Sequence, residues 1–253
     1  MLPLFKSHYS IGKSILTLSP DQSDSDNSGP DSIIKICQDN NLEELILLED
    51  QPIGFLEARK HCMHLNIKLI FGLRFNIASS FDDDESKKNS LHKVAVFAKN
   101  SQGSKDLNFL YTKIYSKMGG TASYEVLSSC WSKNLMLAIP FYDSFLHMNA
   151  CSFSTCIPDL KFTEPVFFLE SNGLPIDNSL SSIIKDYCRV KSYQTLKSKS
   201  IFYKNRSDLE AFQTYKCICN RSFGRKQSLS KPGFDGLGSR EFCFESWKEL
   251  ASE

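Results

Sequence analysis

Apolar residues along this chain fall into short runs that alternate with stretches of helical spacing. We predict strands over residues 2–5, 45–48, 67–75, 93–100, 134–141, 165–171 and 199–203. We predict helices over residues 33–37, 54–66, 104–118, 179–190 and 206–220, and a last helix that begins near Ser246. Because strands and helices alternate at a short period, the pattern predicts βαβ units and an α/β fold with a parallel sheet or barrel.

Polar residues mark the ends of two predicted helices. Asp31 or Ser32 is the predicted N-cap of the helix over residues 33–37. Ser207 lies three residues before Glu210, and this spacing predicts a capping box at the start of the helix over 206–220.

Three polar segments separate the predicted elements. Residues 19–32 and 79–90 are rich in acidic residues and serine, and we predict that both are flexible loops. The glycine-rich residues 231–239 are a third predicted loop. We expect residues 1–253 to form a single domain, because 253 residues suffice for one large α/β core.

Composition narrows the function classes. Hydrophobic residues make up 41% of the chain, and the formal net charge of +1 gives no general attraction to nucleic acid or an anionic membrane. The nine cysteines are scattered without a CxxC pair, so we predict unpaired thiols in a reducing cytoplasm. No leader-like or membrane-spanning apolar stretch is evident, and we therefore expect a cytoplasmic protein.

Local motifs give weak signals for chemistry. His61 and His64 have a spacing that binds zinc on some helices, but further ligands are not evident nearby, and we favour the interpretation that both lie on a helix surface. His147 with Cys151 and Cys156 fits no standard metal-binding spacing. The basic segment over residues 224–231 is a weak candidate for binding phosphate.

Two acidic residues stand at the end of the predicted strand over 45–48. Glu49 and Asp50 occupy the position where α/β proteins place catalytic groups. A carboxylate at this position also serves as a helix cap in many proteins, and the sequence leaves both interpretations open.

The residues after the first predicted strand match half of a metal-binding histidine pair. Two histidines separated by one residue lie on the same face of a strand and bind metal ions in many proteins. Here the sequence FKSH places Lys6 two residues before His8. A protonated lysine does not bind a metal ion, so this pair by itself is an incomplete site.

Five segments carry a resemblance that extends over nearly the whole chain. They are residues 8–15 (HYSIGKSI), 45–75 (LILLEDQPIGFLEARKHCMHLNIKLIFGLRF), 93–115 (KVAVFAKNSQGSKDLNFLYTKIY), 199–218 (KSIFYKNRSDLEAFQTYKCI) and 238–251 (GSREFCFESWKELA). In order and spacing they resemble the PHP domain (polymerase and histidinol phosphatase) of the alpha subunit of bacterial replicative DNA polymerase III. The resemblance implies a distorted (βα)7 barrel whose strand ends supply the ligands of up to three metal ions. Active members of the family use these metal ions to hydrolyse phosphoesters.

The metal ligands of that family map onto positions where this chain has mostly other residues. The corresponding positions are Lys6, His8, Lys13, Gln51, Arg74, Lys93, Tyr142, Ser200 and Phe202. Only His8 keeps the family's residue type, and Asp50 keeps the aspartate that precedes the ligand position at Gln51. We therefore interpret FKSH as the remnant of a metal-binding pair, and expect neither catalytic residues nor a bound metal or other cofactor.

The cationic replacements lead to the functional expectation. Lys6, Lys13, Arg74 and Lys93 place positive charge where the family binds metal ions, and such groups pair with Asp50 or repel a metal ion. We expect a catalytically inactive binding or scaffolding subunit whose partner is a DNA polymerase or another replication protein. Nucleic acid is then contacted only indirectly or weakly, and no membrane is involved. The composition suits a viral or another fast-diverging genome, and for a viral protein the compartment is the host cytoplasm.

Two alternatives stay open from the sequence. One is a metal-dependent phosphoesterase or nuclease with a remodelled site that uses His8, Glu49, Asp50 and a displaced histidine, either His92 or His147. The other is a domain that binds phosphate or a nucleotide without hydrolysis, through the four cations Lys6, Lys13, Arg74 and Lys93.

Overall fold

Strands and helices alternate along most of the chain. The computed structural model describes residues 1–20, 29–78, 91–152, 154–219 and 238–252. The strands are β1 (Leu2–Phe5), β2 (Glu44–Glu49), β3 (Lys68–Ala78), β4 (Leu91–Ala98), β5 (Thr121–Ala122), β6 (Leu135–Ile139), β7 (Val166–Leu169) and β8 (Gln194–Ile201). The helices are α1 (Ile33–Asp39), α2 (Phe55–His64), α3 (Ser101–Lys117), α4 (Tyr124–Ser129), α5 (Phe145–Ser152), α6 (Asp177–Lys191), α7 (Leu209–Cys219) and α8 (Phe244–Ser252).

Every predicted strand and helix is confirmed, with shifted ends in some places. The Ser32 hydroxyl accepts the Lys35 N–H at 3.4 Å and caps α1, as predicted. The predicted capping box is wrong by two residues, because Asn205 and Asp208 form it at the 3-10 turn that precedes α7. The short elements β5, α4 and α5 are additions to the predicted set.

The strands form one mixed sheet. Hydrogen-bonded neighbours follow the order β2-β1-β8-β7-β6-β4-β3-β5, and β2 also pairs with β3, so seven strands form a closed ring of pairings. The predicted α/β class is therefore confirmed. The expectation of a parallel sheet fails at β4, which is antiparallel to β3 and β6. The β3–β4 register joins Ala78 to Leu91, the residues that flank segment 79–90, so these consecutive strands pair as in a hairpin.

The chain divides into two compact units. Unit 1 contains Met1–Phe71, Ser171–Pro175 and Ser198–Glu253, and unit 2 contains Gly72–Glu170 and Ile176–Lys197. The core of unit 1 includes Leu4, Phe5, Leu45, Leu47 and Ile201. The core of unit 2 includes Phe75, Val94, Val96, Leu137 and Phe167. The expectation of a single domain over residues 1–253 stays a prediction.

Several sequence predictions fall on residues outside the described part of the chain. They include most of the predicted loop over 19–32, all of the loop over 79–90, the basic segment over 224–231 and most of the loop over 231–239. Within the described residues, no helix is both long and apolar enough to cross a membrane.

Candidate functional site

Three parallel strands of unit 1 bring several predicted site residues to one edge of the sheet. β1 pairs in parallel with β2 through Phe5 and Leu47, and with β8 through Phe5 and Ile201. Because carboxyl ends of parallel strands meet at one edge, the residues that follow β1 and β2 are neighbours. This edge carries Lys6 after β1 and Asp50 after β2.

A buried lysine lies beside an aspartate at this edge. The Lys6 Nζ is 3.5 Å from the Asp50 Oδ1, and the two side chains are 4% and 22% exposed. This distance is at the limit of a hydrogen bond, so the attraction is mainly electrostatic, and burial strengthens it by excluding water. An ammonium group thus occupies the strand end that the resemblance assigns to a metal site.

Glu49 is buried directly behind this ion pair. Its Oε1 accepts the Ser7 N–H at 2.8 Å, and the Ser10 hydroxyl donates to its Oε2. The Ser10 Oγ in turn accepts the Asp50 N–H at 2.9 Å. Burial raises the pKa of Glu49, and the hydrogen bonds from Ser10 and Ser7 and the charge of Lys6 oppose this rise. Glu49 thus anchors the backbone that follows β1, and we call Lys6, Ser7, Ser10, Glu49 and Asp50 the Lys6 cluster.

His8 lies two residues after Lys6, and its ring and backbone have contacts with neighbouring residues. Its ring lies 4.2 Å from the Tyr9 ring, and its backbone N–H donates to the Leu16 carbonyl at 2.8 Å. The His8 Nδ1 is buried without a hydrogen-bond partner in the described part of the chain.

The remaining unit 1 positions have structural contacts. Phe202 stacks between Phe212 and Phe242, with ring centroids 5.7 and 5.4 Å away. Ser200 pairs with Leu4 in the β1–β8 ladder. Phe202 is thus part of an aromatic stack, where the family has a metal-binding histidine.

The other two positions in unit 1 lie in turns. Lys13 is half-buried in the turn after β1, and its backbone N–H donates to the Ser10 carbonyl at 2.9 Å. Gln51 precedes the 3-10 turn Pro52–Gly54, and its side chain makes no capping hydrogen bond there.

Unit 2 contains a second cationic cluster. The Arg74 Nη1 lies 3.7 Å from the Asp143 Oδ2, with side chains 12% and 41% exposed. Lys93 lies opposite Asn76 in the β3–β4 ladder, and its backbone N–H donates to the Asp143 carbonyl at 2.6 Å. The Asp143 N–H donates to the His147 Nδ1 at 3.3 Å. We call Arg74, Lys93, Asp143 and His147 the Arg74 cluster.

The histidines of unit 2 have internal contacts. Burial lowers the pKa of His147, although the Asp143 carboxylate opposes the shift, so the ring is mainly neutral at pH 7. A His92 ring nitrogen lies 2.9 Å from the Tyr124 hydroxyl, inside an aromatic group that includes Phe145.

The Tyr142 hydroxyl donates to the buried Asp177 carboxylate at 2.7 Å.

The other candidate metal ligands do not assemble. Cys62 is buried in α2, where burial raises its pKa to about 11, whereas His64 is exposed. Across the residues that the structure describes, no group of three or more His, Cys, Asp or Glu side chains is arranged to bind a metal ion. All nine cysteines are unpaired.

Sequence reasoning missed three residues that organise these clusters. Ser7 and Ser10 hold Glu49, and Asp143 pairs with Arg74. Asp143 follows the predicted strand over 134–141, so the signal that identified Glu49 and Asp50, an acidic residue after a strand, could have found it.

Comparison with known proteins assigns the chain to no family. No family model matches the chain. No curated protein matches it either.

Proposed function

We propose that this chain is a PHP-like domain, with a distorted (βα)7 barrel, that has lost its metal centre and acts as a binding or scaffolding subunit. The observation that carries this proposal is the buried ion pair between Lys6 and Asp50. Under the resemblance, Lys6 replaces the first histidine of the metal-binding pair, and Asp50 precedes a replaced ligand. The closed ring of seven strand pairings agrees with the strand number that the resemblance implies.

A fixed ammonium group opposes metal binding at this position. A divalent ion about 5 Å from a buried ammonium group meets a repulsion on the order of several kcal/mol at an effective dielectric constant near 20. Asp50 already supplies its charge to Lys6, so a metal ion must displace the lysine to use this carboxylate. The ion pair therefore supports a site in which a side-chain cation has replaced a metal ion.

The phosphoesterase alternative receives less support from the same residues. Glu49 uses both carboxylate oxygens to hold Ser7 and Ser10. His92 contacts Tyr124, and His147 accepts the backbone N–H of Asp143. Glu49 and His147 would therefore have to give up internal hydrogen bonds before they could bind a metal ion.

The anion-binding alternative is also less favoured. Lys6 pairs with Asp50, and Arg74 pairs with Asp143, so two of its four cations already face carboxylates. A phosphate group would compete with these carboxylates for the same charges.

The partner in this proposal is a DNA polymerase or another replication protein, with nucleic acid contacted only indirectly or weakly. In the family that the chain resembles, the PHP domain is part of a replicative polymerase. The nine unpaired cysteines suit a reducing compartment, so the proposal places the chain in the cytoplasm, or in a host cytoplasm for a viral protein.

Metal content and hydrolysis together test the proposal. Untagged protein, purified without chelators, is analysed by elemental mass spectrometry for manganese, zinc and iron. We expect clearly substoichiometric metal, and no hydrolysis of a chromogenic phosphodiester when these metals are added. Stoichiometric metal with hydrolysis that His8→Ala abolishes would overturn the proposal and support the phosphoesterase.

Partner binding needs its own assay. The tagged chain is co-purified from its native cell with replication proteins identified by mass spectrometry, and the control is the tag alone expressed in the same cell. We expect a DNA polymerase or replication protein to be retained by the unaltered chain. Recovery of no replication protein would count against the scaffolding role while leaving the metal result unaffected.

A further inference from the structure

Helix α2 and the turn before it expose a line of large apolar side chains. Ile53, Leu56 and Met63 are 61%, 73% and 70% exposed. Leu56 and Met63 are seven residues apart and lie on one face of α2, and Ile53 precedes them in the 3-10 turn Pro52–Gly54. The line extends over about 15 Å, which is the length of about three helical turns. Methionine adapts its shape readily and is frequent on protein-binding surfaces.

The same face is basic. Arg59, Lys60 and His64 are exposed between and beside the apolar side chains, and no acidic residue of this helix is exposed. Its one glutamate, Glu57, is half-buried and accepts a hydrogen bond from the Tyr9 hydroxyl at 2.6 Å. Within the described residues, no ion pair joins these basic side chains to a carboxylate of the chain. We call Ile53, Leu56, Arg59, Lys60, Met63 and His64 the α2 face.

The inner contacts of the helix hold this face in place. Ala58 and Cys62 are buried, and the Phe55 ring packs 4.9 Å from the Phe71 ring. A Cβ atom at Gly54 would lie 2.8 Å from the Tyr9 ring, so this turn requires glycine. Since a surface that is ordered before binding loses little entropy on binding, the α2 face is suited to a partner.

We infer that the α2 face docks an acidic amphipathic helix of the protein partner, an inference that rests on the proposed scaffolding function. A helix with apolar residues at i, i+3, i+4 and i+7 covers Ile53, Leu56 and Met63 by packing side by side with α2, as two amphipathic helices do. Its acidic flanks face Arg59 and Lys60, and this charge complementarity selects the partner.

Other occupants fit the α2 face less well. A nucleic acid backbone would leave three large apolar side chains in contact with water at the centre of the contact. For a second copy of this chain, the acidic helix α8 is a poor partner, because Glu245 and Glu249 already pair with Arg206.

A designed peptide tests the inference. The probe is a fluorescein-labelled amphipathic peptide with leucine at i, i+3, i+4 and i+7 and glutamate on its other faces, and the control is a scrambled peptide of the same composition. Fluorescence anisotropy at low salt measures the Kd. We expect Leu56→Ser/Met63→Ser and, separately, Arg59→Glu/Lys60→Glu to weaken binding at least tenfold. Val190→Ser, an equally exposed site on α6 of unit 2, should leave the Kd unchanged.

Hydrogen exchange localises the complex and separates the outcomes. Protection over residues 53–66 on peptide addition, with a Kd that rises with salt, supports the inference. Equal binding of the scrambled peptide, or no binding, overturns it. A dimer of the protein alone that Leu56→Ser/Met63→Ser dissociates, or tighter binding of single-stranded DNA to this face, also overturns it.

The two proposals fail separately. The metal and hydrolysis assays do not depend on α2, so stoichiometric metal with specific peptide binding overturns only the proposed function. Substoichiometric metal without peptide binding overturns only the docking inference. Far-UV circular dichroism of both double variants checks that each remains folded.

Discussion

The Lys6 cluster and the Arg74 cluster each pair a cation with an aspartate, but in different surroundings. In each, a cation stands at a position that the resemblance assigns to a metal ligand, and an aspartate lies within 3.5 or 3.7 Å of it. Lys6 is almost fully buried and Asp50 mostly so, whereas nearly half of the Asp143 side chain is exposed. The difference lies in solvation more than in distance.

The hydrogen bonds around Asp50 connect it to a buried carboxylate, and those around Asp143 involve its main chain. Ser10 links the backbone of Asp50 to the buried carboxylate of Glu49, so the charge of Lys6 acts on two neighbouring acidic groups. Asp143 is held through its main chain, by Lys93 and His147, and its carboxylate faces water in part. We therefore expect the Lys6–Asp50 pair to contribute more to folding stability than the Arg74–Asp143 pair, whose carboxylate is 41% exposed.

Replacement of Lys6 should have the largest effect. Lys6→Met keeps an apolar stem but leaves Asp50 and the buried Glu49 without the ammonium group. We expect a loss of about 2–4 kcal/mol in the free energy of unfolding, because removal of one member of a buried ion pair leaves the other charge poorly solvated. Urea unfolding at pH 7 measures it.

A double-mutant cycle checks the origin of that loss. If the ion pair is responsible, Lys6→Met and Asp50→Asn combined should cost at least about 1 kcal/mol less than the sum of the single variants. Simple additivity would show that Lys6 stabilises unit 1 through its stem or other contacts.

Glu241 offers an intermediate case in unit 1. Arg206 donates to both Glu241 oxygens at 3.0 and 2.9 Å, and the Ser246 hydroxyl adds a third hydrogen bond. The Arg206 guanidinium is the main cause that lowers the Glu241 pKa from 4.5 to about 2. Glu241→Gln should reduce stability at pH 7 on the order of 1–3 kcal/mol.

The pH dependence of this loss has a definite sign. The pKa of Glu241 is about 2 in the folded protein and 4.5 in the unfolded chain, so the ionised carboxylate stabilises the folded protein fully only above pH 4.5. This stabilisation is lost as the pH falls toward 2. The stability difference between the two proteins should therefore shrink from pH 4.5 to pH 3 in urea unfolding experiments. Glu249→Gln, which removes a more exposed carboxylate from the same Arg206, should cost less. A difference that does not change with pH would contradict the Arg206–Glu241 ion pair as its source.

The sequence predicted the periodic elements well and the short ones poorly. α3 and α6 extend over several turns with an apolar face, and β1 and β2 are apolar runs with polar residues beside them. By contrast, β5 has two residues, and α5 carries apolar residues without a distinct face, so neither produces a periodic signal. The capping box was misplaced because Ser207 and Asn205 both suit the position, and only the backbone selects between them.

The candidate site could be predicted from the sequence only in part. Lys6, Asp50 and Arg74 were predicted as candidate site residues because each is a single position in a segment that carries the resemblance. Ser10 was missed because its contacts with Glu49 and Asp50 join residues 39 and 40 positions apart. The register between paired strands decides which residues make such contacts. This register cannot be inferred from the spacing of residues along the sequence.

Arg74→Met should have a smaller effect and so complete the comparison of the two clusters. The ion pair with Asp143 is half-exposed on the carboxylate side, and such pairs contribute about 0–1 kcal/mol. Urea unfolding under the conditions used for Lys6→Met measures the loss. A loss as large as that of Lys6→Met would show that solvation does not distinguish the two clusters.

Lys113 should affect the reactivity of a neighbour in unit 2 and hardly affect stability. Its Nζ lies 2.8 Å from the Sγ of Cys130. Burial alone would raise the pKa of the Cys130 thiol, but the hydrogen bonds from Lys113 and Ser129 and the ammonium charge lower it overall. Because the thiolate is the nucleophile, Lys113→Met should slow alkylation of Cys130 by iodoacetamide severalfold at pH 7. Peptide mass spectrometry gives the rate, and the exposed Cys151 of the same chain is the internal control. An unchanged ratio of the Cys130 and Cys151 rates would mean that the Lys113 ammonium group does not stabilise the Cys130 thiolate.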